Sequence, residues 1–294
     1  MNRPAAAPMP EPRSRHQASH EPMPSAPHPP VVRPVTYAIT SGKGGVGKTN
    51  LAVNLGICLS RAGQAVTLVD ADFGLANADV LLGVHPRYNL AHLLRGERDL
   101  DEVVVPAVEG LRLLAGASGA AGADSIDAGQ RGALLERLAS GGSEFVIYDC
   151  GAGISSSVLD FALAADVVIV VTTPEPTALA DAYATVKTLW REGYGRSIRL
   201  LVNMVESRAE ARAAYERIRL VAQKYMELPI ADAGYVLHDT HVELAVRQRT
   251  PFVVRYPKCS ASACAMAVAA RLGNGRLPAP EQNGLLRRLA GLFA

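Results

Sequence analysis

Short apolar runs alternate with amphipathic stretches from residue 35 to residue 272, and the rest of the chain lacks that texture. The runs at 35–40, 65–71, 145–149, 167–172 and 198–203 are rich in β-branched residues and apolar at successive positions. Both faces of such strands are buried, which predicts a parallel sheet covered on each side. Between them, 177–190 and 207–225 carry helical periodicity. Strands alternating with helices predict an α/β domain over 35–272: a single doubly wound, mostly parallel sheet with helices on both faces. Residues 1–34 hold ten of the nineteen prolines and predict a disordered, polyproline-leaning tail. A second Pro/Gly-rich stretch, 273–283, predicts a linker to a short terminal segment, 284–294.

Composition sharpens this picture in three ways. With 49% hydrophobic residues, the chain fills a core and contains no apolar run of transmembrane length. The N-terminus lacks the charged-then-apolar layout of a signal peptide, so a cytoplasmic protein is expected. Of the net charge of +2, the tail carries four Arg against two Glu and the last eleven residues add two Arg. The body is therefore slightly acidic and direct DNA binding is not expected. Cys58, Cys150, Cys259 and Cys264 show no metal-ligand spacing and read as buried reduced thiols.

The chemistry starts directly after the first predicted strand, at Gly42-Lys43-Gly44-Gly45-Val46-Gly47-Lys48-Thr49, with Asn50 next and a helical stretch following. Glycines let successive backbone N–H groups turn toward phosphate oxygens, and the helix N-terminus adds its partial positive charge. Lys48 suits the β- and γ-phosphates, and the Thr49 hydroxyl suits magnesium. Two more strands end in acid: Asp70-Ala71-Asp72, and Asp149 followed by Gly151-Ala152-Gly153. At the carboxyl edge of a sheet, where ligands of open α/β folds bind, these read as metal-shell groups, Asp70 and Asp149 for Mg2+. ATP and Mg2+ are the expected cofactors, and ATP hydrolysis is the expected reaction.

Lys43, the additional lysine of the phosphate loop, makes the chain resemble the MinD/ParA-type deviant Walker A ATPases over roughly 35–294. Within them it is similar to the FlhG (FleN) regulators of flagellar number and placement. The residues that carry this are Gly74 to Asp79, Asp149 to Ile154, Pro174-Glu175-Pro176-Thr177 through Tyr183, and Ala245 to Phe252 with Tyr256-Pro257-Lys258. The resemblance implies an ATP-bound homodimer in which Lys43 reaches the partner's phosphates, Asp72 positions the attacking water, and Lys43, Asp72 and Lys48 are the catalytic residues. It implies that Asn203 reads the adenine edge, although a strand-terminating turn Asn is an equal reading of that residue. It also gives Asp239 a contact near the base. The chain departs from the family at Cys150, where Thr or Ser is usual, and at Leu237-His238-Asp239, where Pro-x-Asp is usual. A tail motif for stimulating the GTPase FlhF is represented only by Gln17-Ala18.

On a helix, Leu285, Leu286, Leu289, Leu292 and Phe293 cover an arc of about 120°, with Arg287 and Arg288 off it. This is the pattern of an interfacial membrane helix, or of a helix docked on the protein's own core. The expected function is a slow ATPase switch that attaches peripherally to the cytoplasmic membrane as an ATP dimer. As implied by the resemblance, its partners would be FlhF, flagellar basal-body proteins or a flagellar transcription activator. Division-site placement, DNA partitioning and a non-hydrolysing scaffold are the alternatives.

Overall fold

The computed structural model describes residues 33–273 except 73, 75 and 118–126. The predicted tail over 1–32, most of the 273–283 linker and the apolar arc of 284–294 lie outside the described residues. The chain runs β1 (Val35–Ser41), α1 (Lys48–Arg61), β2 (Val66–Ala71), then three short helices, α2 (Ala78–Leu82), α3 (Leu90–Leu94) and α4 (Leu100–Val103). The strands β3 (Val104–Pro106) and β4 (Arg112–Leu114) precede α5 (Ala128–Ser140), β5 (Phe145–Ala152), α6 (Ser156–Ala164) and β6 (Val167–Thr172). The last part is α7 (Pro176–Arg191), β7 (Ser197–Val205), α8 (Arg208–Met226), β8 (Ala231–Leu237), α9 (Thr240–Arg247), α10 (Phe252–Arg255) and α11 (Ser260–Leu272).

Eight strands form one sheet in the order β3-β4-β2-β5-β1-β6-β7-β8, parallel except for the β3–β4 pair. The central strands β2 and β6 are buried at every position, and β1 at all but its first. Such strands exist only where helices cover both faces. On one face α1 packs on α11, β2 and β5; on the other α6 packs on β1 and β5, and α7 on β6 and α8. Tyr37 stacks on Phe145 with ring centroids 6.1 Å apart, and its hydroxyl donates to the Leu272 carbonyl, tying the end of α11 to the sheet.

The five expected strands are all present, and the expected helices become α7 and α8 with ends shifted by a residue or two. Three strands, β3, β4 and β8, have no counterpart in the sequence reading. The first two have three residues each, too few to show a period. β8 interrupts its apolar pattern with Asp232 and Gly234, because it is an edge strand and its first two residues are exposed. The four cysteines are free thiols, three of them buried and Cys259 half-buried, its sulfur capping α11 by accepting from the Ser262 N–H.

Adjacent strands β1 and β5 send their following helices to opposite faces of the sheet. That divergence opens a crevice at their carboxyl ends, the position where ligands of open α/β sheets sit. The loop 42–47 and the segment after Asp149 both lie there.

Candidate nucleotide site

The loop joining β1 to α1 adopts left-handed backbone at Gly45 (φ +80°) and Gly47 (φ +90°), which L side chains rarely adopt. It is held from both sides. The Ser41 hydroxyl donates to the Lys43 carbonyl at 2.8 Å, and the Asn203 amide donates to the Val46 carbonyl at 2.8 Å. Gly42 lies so close to α7 that a Cβ would sit 2.1 Å from the Asp181 carbonyl oxygen. The obstacle is backbone, so it cannot rotate away. Gly42→Ala is therefore expected to push the loop off α7 and weaken ADP binding at least tenfold, about 1.4 kcal/mol. A fluorescent-ADP titration checks this, with an unchanged circular dichroism spectrum showing that the fold survives.

Behind the loop lies a buried acidic pair. Asp149 is 1% exposed and Asp70 is 1% exposed, side by side on β5 and β2. Burial pushes Asp149 up to about 8, with the Asp70 charge adding to the effect, while the Thr49 hydroxyl and the Lys48 ammonium pull the other way. Neither Asp149 oxygen has a hydrogen bond of good geometry. An unsatisfied buried carboxylate beside a Thr hydroxyl and a 9%-exposed Lys48 is the donor set of a hydrated divalent cation next to phosphate. The residues present thus fit a magnesium nucleotide: Thr49 and Asp149 to hold the metal shell, Lys48 and the 42–47 backbone to hold phosphate.

Asp70, expected beside the metal, has both oxygens engaged by backbone N–H groups. Its Oδ1 accepts from the Asp72 N–H at 3.2 Å, and its Oδ2 accepts from the Asn77 and Ala78 N–H groups at 3.0 Å each. It organises the turn that carries Asp72. These bonds lower its pKa, but burial outweighs them and leaves it at about 6. Gly116, not singled out by any motif, closes this turn: a Cβ there would meet the Asp70 carbonyl oxygen at 2.7 Å and Ala76 Cβ at 2.8 Å. Asp72 lies against Gly151, within 3.4 Å of where a Cβ on that glycine would be. The acid from the β2 turn and the glycine after Asp149 are thus brought together, although some 80 residues separate them.

Lys43 does not turn back into its own loop. Its Nζ donates to Glu175 Oε2 at 2.9 Å and to Thr177 Oγ1 at 3.1 Å, at the start of α7. Both partners come from the Pro-Glu-Pro-Thr stretch, whose Pro176 begins the helix at the position that needs no N–H. On the other side of the loop, Gly47, Asn50 and Leu51 share a pocket of about 90 Å3 with Asn203, Val236, Leu237 and Asp239. Asn203 lines it, but its amide nitrogen is already engaged by Val46. Asp239 lines it too, as the cap of α9: its Oδ1 accepts from the His241 N–H at 3.0 Å and its Oδ2 from the Ala261 N–H at 3.3 Å. Those bonds lower its pKa against the opposing effect of burial, the largest single influence.

A phosphate loop at the switch point of a parallel sheet, with a buried acid behind it, defines a P-loop ATPase. The chain belongs to the CobQ/CobB/MinD/ParA nucleotide-binding family, whose model matches residues 37–252. It is of the MinD/ParA deviant Walker A type. It is 36% identical to antiactivator FleN of Pseudomonas aeruginosa over 250 residues, 84% of this chain and 89% of that protein. It is 38% identical to the flagellum site-determining protein YlxH of Helicobacter pylori over 221 residues, 72% of each chain. MinD in the MinC:MinD complex of Aquifex aeolicus superposes with a TM-score of 0.69 at 27% identity, covering 84% of this chain and 98% of that one.

Proposed function

We propose that this chain is an ATP-driven dimerising switch of the FlhG type, which binds ATP with Mg2+, hydrolyses it slowly and sets flagellar number or placement. The observation that carries the reading is the placement of Lys43. The lysine is 41% exposed and held by α7, so its charge is not used in its own phosphate loop. A cation presented outward beside the nucleotide is suited to the phosphates of a second copy, where it would neutralise charge developing during transfer. Asp72, on the turn built by Asp70, is suited to orient the attacking water. The flagellar assignment rests on FleN and YlxH, named for antagonising an activator and for determining flagellar site. A flagellar transcription activator, basal-body proteins and FlhF are the corresponding partners.

No described helix is long and apolar enough to cross a membrane. Attachment in this reading is peripheral, through residues 284–294. A single copy of so short a helix binds marginally, since a lone helix below ~12–15 residues is poorly formed in water. Two copies in one dimer gain from effective concentration, which couples attachment to ATP.

The decisive experiment measures solution mass for Asp72→Ala with ADP and with ATP, followed by flotation on anionic liposomes. A doubling of mass and liposome binding with ATP alone are expected. An unchanged monomer that nevertheless binds ATP would sink the dimer mechanism, and equal flotation in both states would sink the membrane switch.

A further inference from the structure

Near its carboxyl end, β7 departs from strand geometry beside the phosphate loop. Val202 pairs with Tyr235 and Val205 with Leu237 on β8, so two residues, Asn203 and Met204, stand against the single Val236. Such a bulge puts one extra residue into the strand and re-aims its side chain. Met204 adopts left-handed backbone, at φ +57°. For a residue with a side chain that conformation is strained and uncommon, whereas glycine adopts it freely.

Along a regular strand, successive side chains point to opposite faces of the sheet. Here both reach the same place. A Cβ built on Gly47 would lie 2.5 Å from the Asn203 amide nitrogen and 3.6 Å from the Met204 methyl carbon. Asn203 is buried and its amide holds the Val46 carbonyl, which accounts for its direction. Met204 has no such bond. The residue is 39% exposed, so burial does not offset the strained backbone, and a thioether is only a weak acceptor. A glycine at this position would permit the same bulge and the same Asn203 bond without strain.

What the methionine adds is a flexible, polarisable side chain laid against the phosphate loop, in the lining of the pocket that also contains Asn203 and Val236. Apolar side chains, among them Leu51, Val242 and Phe252, make up much of that lining, which suits the faces of a flat ring. Sulfur beside an aromatic ring is a favourable contact. We propose that Met204 clamps the base: its thioether covers one face of the adenine ring, and the strained bulge at 203–204 is kept because it aims that side chain across the loop. The inference rests on the adenine-nucleotide reading above and adds a residue that packs on the base to those that hold phosphate.

The test uses the full chain, isotope-labelled at its methionine methyl groups and followed by NMR. Of the six methionine signals, that of Met204 is the one lost in Met204→Leu. Saturation with Mg-ADP should move it upfield, because the face of an aromatic ring shields a methyl group held over it. Mg-pyrophosphate, which has no base, should leave it in place. By calorimetry, Met204→Ala and Met204→Gly should lower ADP affinity about five- to tenfold, and Met204→Leu should largely keep it. Without nucleotide, Met204→Gly should melt no lower than the wild type, since it removes the strain. ADP binding that leaves the Met204 signal unmoved, an equal movement with pyrophosphate, or affinity indifferent to Met204→Gly overturns this inference alone. So does a fall in melting temperature accompanying the lost affinity, since Met204 would then serve the fold. Failure of the wild type to bind ADP would overturn the nucleotide reading, and this inference with it.

Discussion

Asp149→Asn is expected to slow ATP hydrolysis at least a hundredfold and yet to melt at a higher temperature than the wild type when both are free of metal and nucleotide at pH 8. The first half follows from the role of the carboxylate. Removing one preorganised electrostatic element from such a site commonly costs ~10²–10³ in rate, and both Asp149 oxygens, buried behind the loop, lack a hydrogen-bond partner among the described residues. The second half follows from linkage. An unfolded Asp titrates near ~3.9, whereas burial raises Asp149 to about 8 in the folded chain. The folded state therefore keeps the proton across that interval. Stability associated with it is complete below about pH 4 and is lost as pH rises through 8. Asp70, raised to about 6, acts in the same direction.

Asparagine keeps the shape, carries no charge and has no such loss, so the advantage of the variant should grow from pH 5 to pH 8. Melting curves across that range, with and without Mg-ADP, check the sign. Mg-ADP should raise the melting temperature of the wild type and much less that of the variant, because a ligand stabilises only the state that binds it. A nucleotide-free wild type that melted higher at pH 8 than at pH 5 in step with the variant would contradict the buried, unsatisfied state of Asp149.

Lys43→Ala should abolish ATP-dependent dimerisation and lower the ATPase rate on the order of a thousandfold, the scale of a trans-acting cation in phosphoryl transfer. Glu175→Ala should do far less. The Lys43–Glu175 pair is 41% and 64% exposed, and exposed pairs contribute ~0–1 kcal/mol. A contact that weak is easily exchanged for a phosphate, which offers more charge and less water. Glu175→Ala is therefore expected to leave ADP affinity unchanged and to shift the ATP concentration for half-dimerisation downward by up to about fivefold. Sedimentation over an ATP titration reads both variants. Equal losses from the two would mean that Lys43 serves the fold through α7 rather than the second copy.

Much of the site was legible before folding was considered, because its parts are local. The turn over 42–49 needs glycine where the backbone is left-handed, and it needs lysine and threonine at the start of a helix. All of these are adjacent in the chain, so the motif carries its own geometry. The strands β1, β2, β5, β6 and β7 were legible for a related reason: burial on both faces fills them with apolar side chains at successive positions. β3, β4 and β8 escaped notice because edge strands face water and short ones show no period.

Other assignments depended on distant partners. Asp70 and Asp149 look alike as acids ending apolar strands. Only the fold gives Asp70 three backbone N–H donors from the following turn and leaves Asp149 with none. The same holds for Glu175 and Thr177, which a motif marks as family-like and the fold marks as the resting partners of Lys43. Asn203 and Asp239, expected near the base, do line the pocket beside the loop, but part of their hydrogen-bonding capacity goes to the protein itself. Gly116 carried no signal at all, since its need for a missing Cβ arises from the Asp70 carbonyl some 45 residues earlier in the chain.

By itself, then, the sequence determined the five longer two-sided strands, the phosphate loop and the identity of the acids, because local backbone preference and two-sided burial are written in adjacent residues. The tertiary structure alone decided which acid stays unsatisfied and where Lys43 rests. Those outcomes depend on desolvation and on contacts between residues far apart in the chain, and neither exists until the sheet has closed.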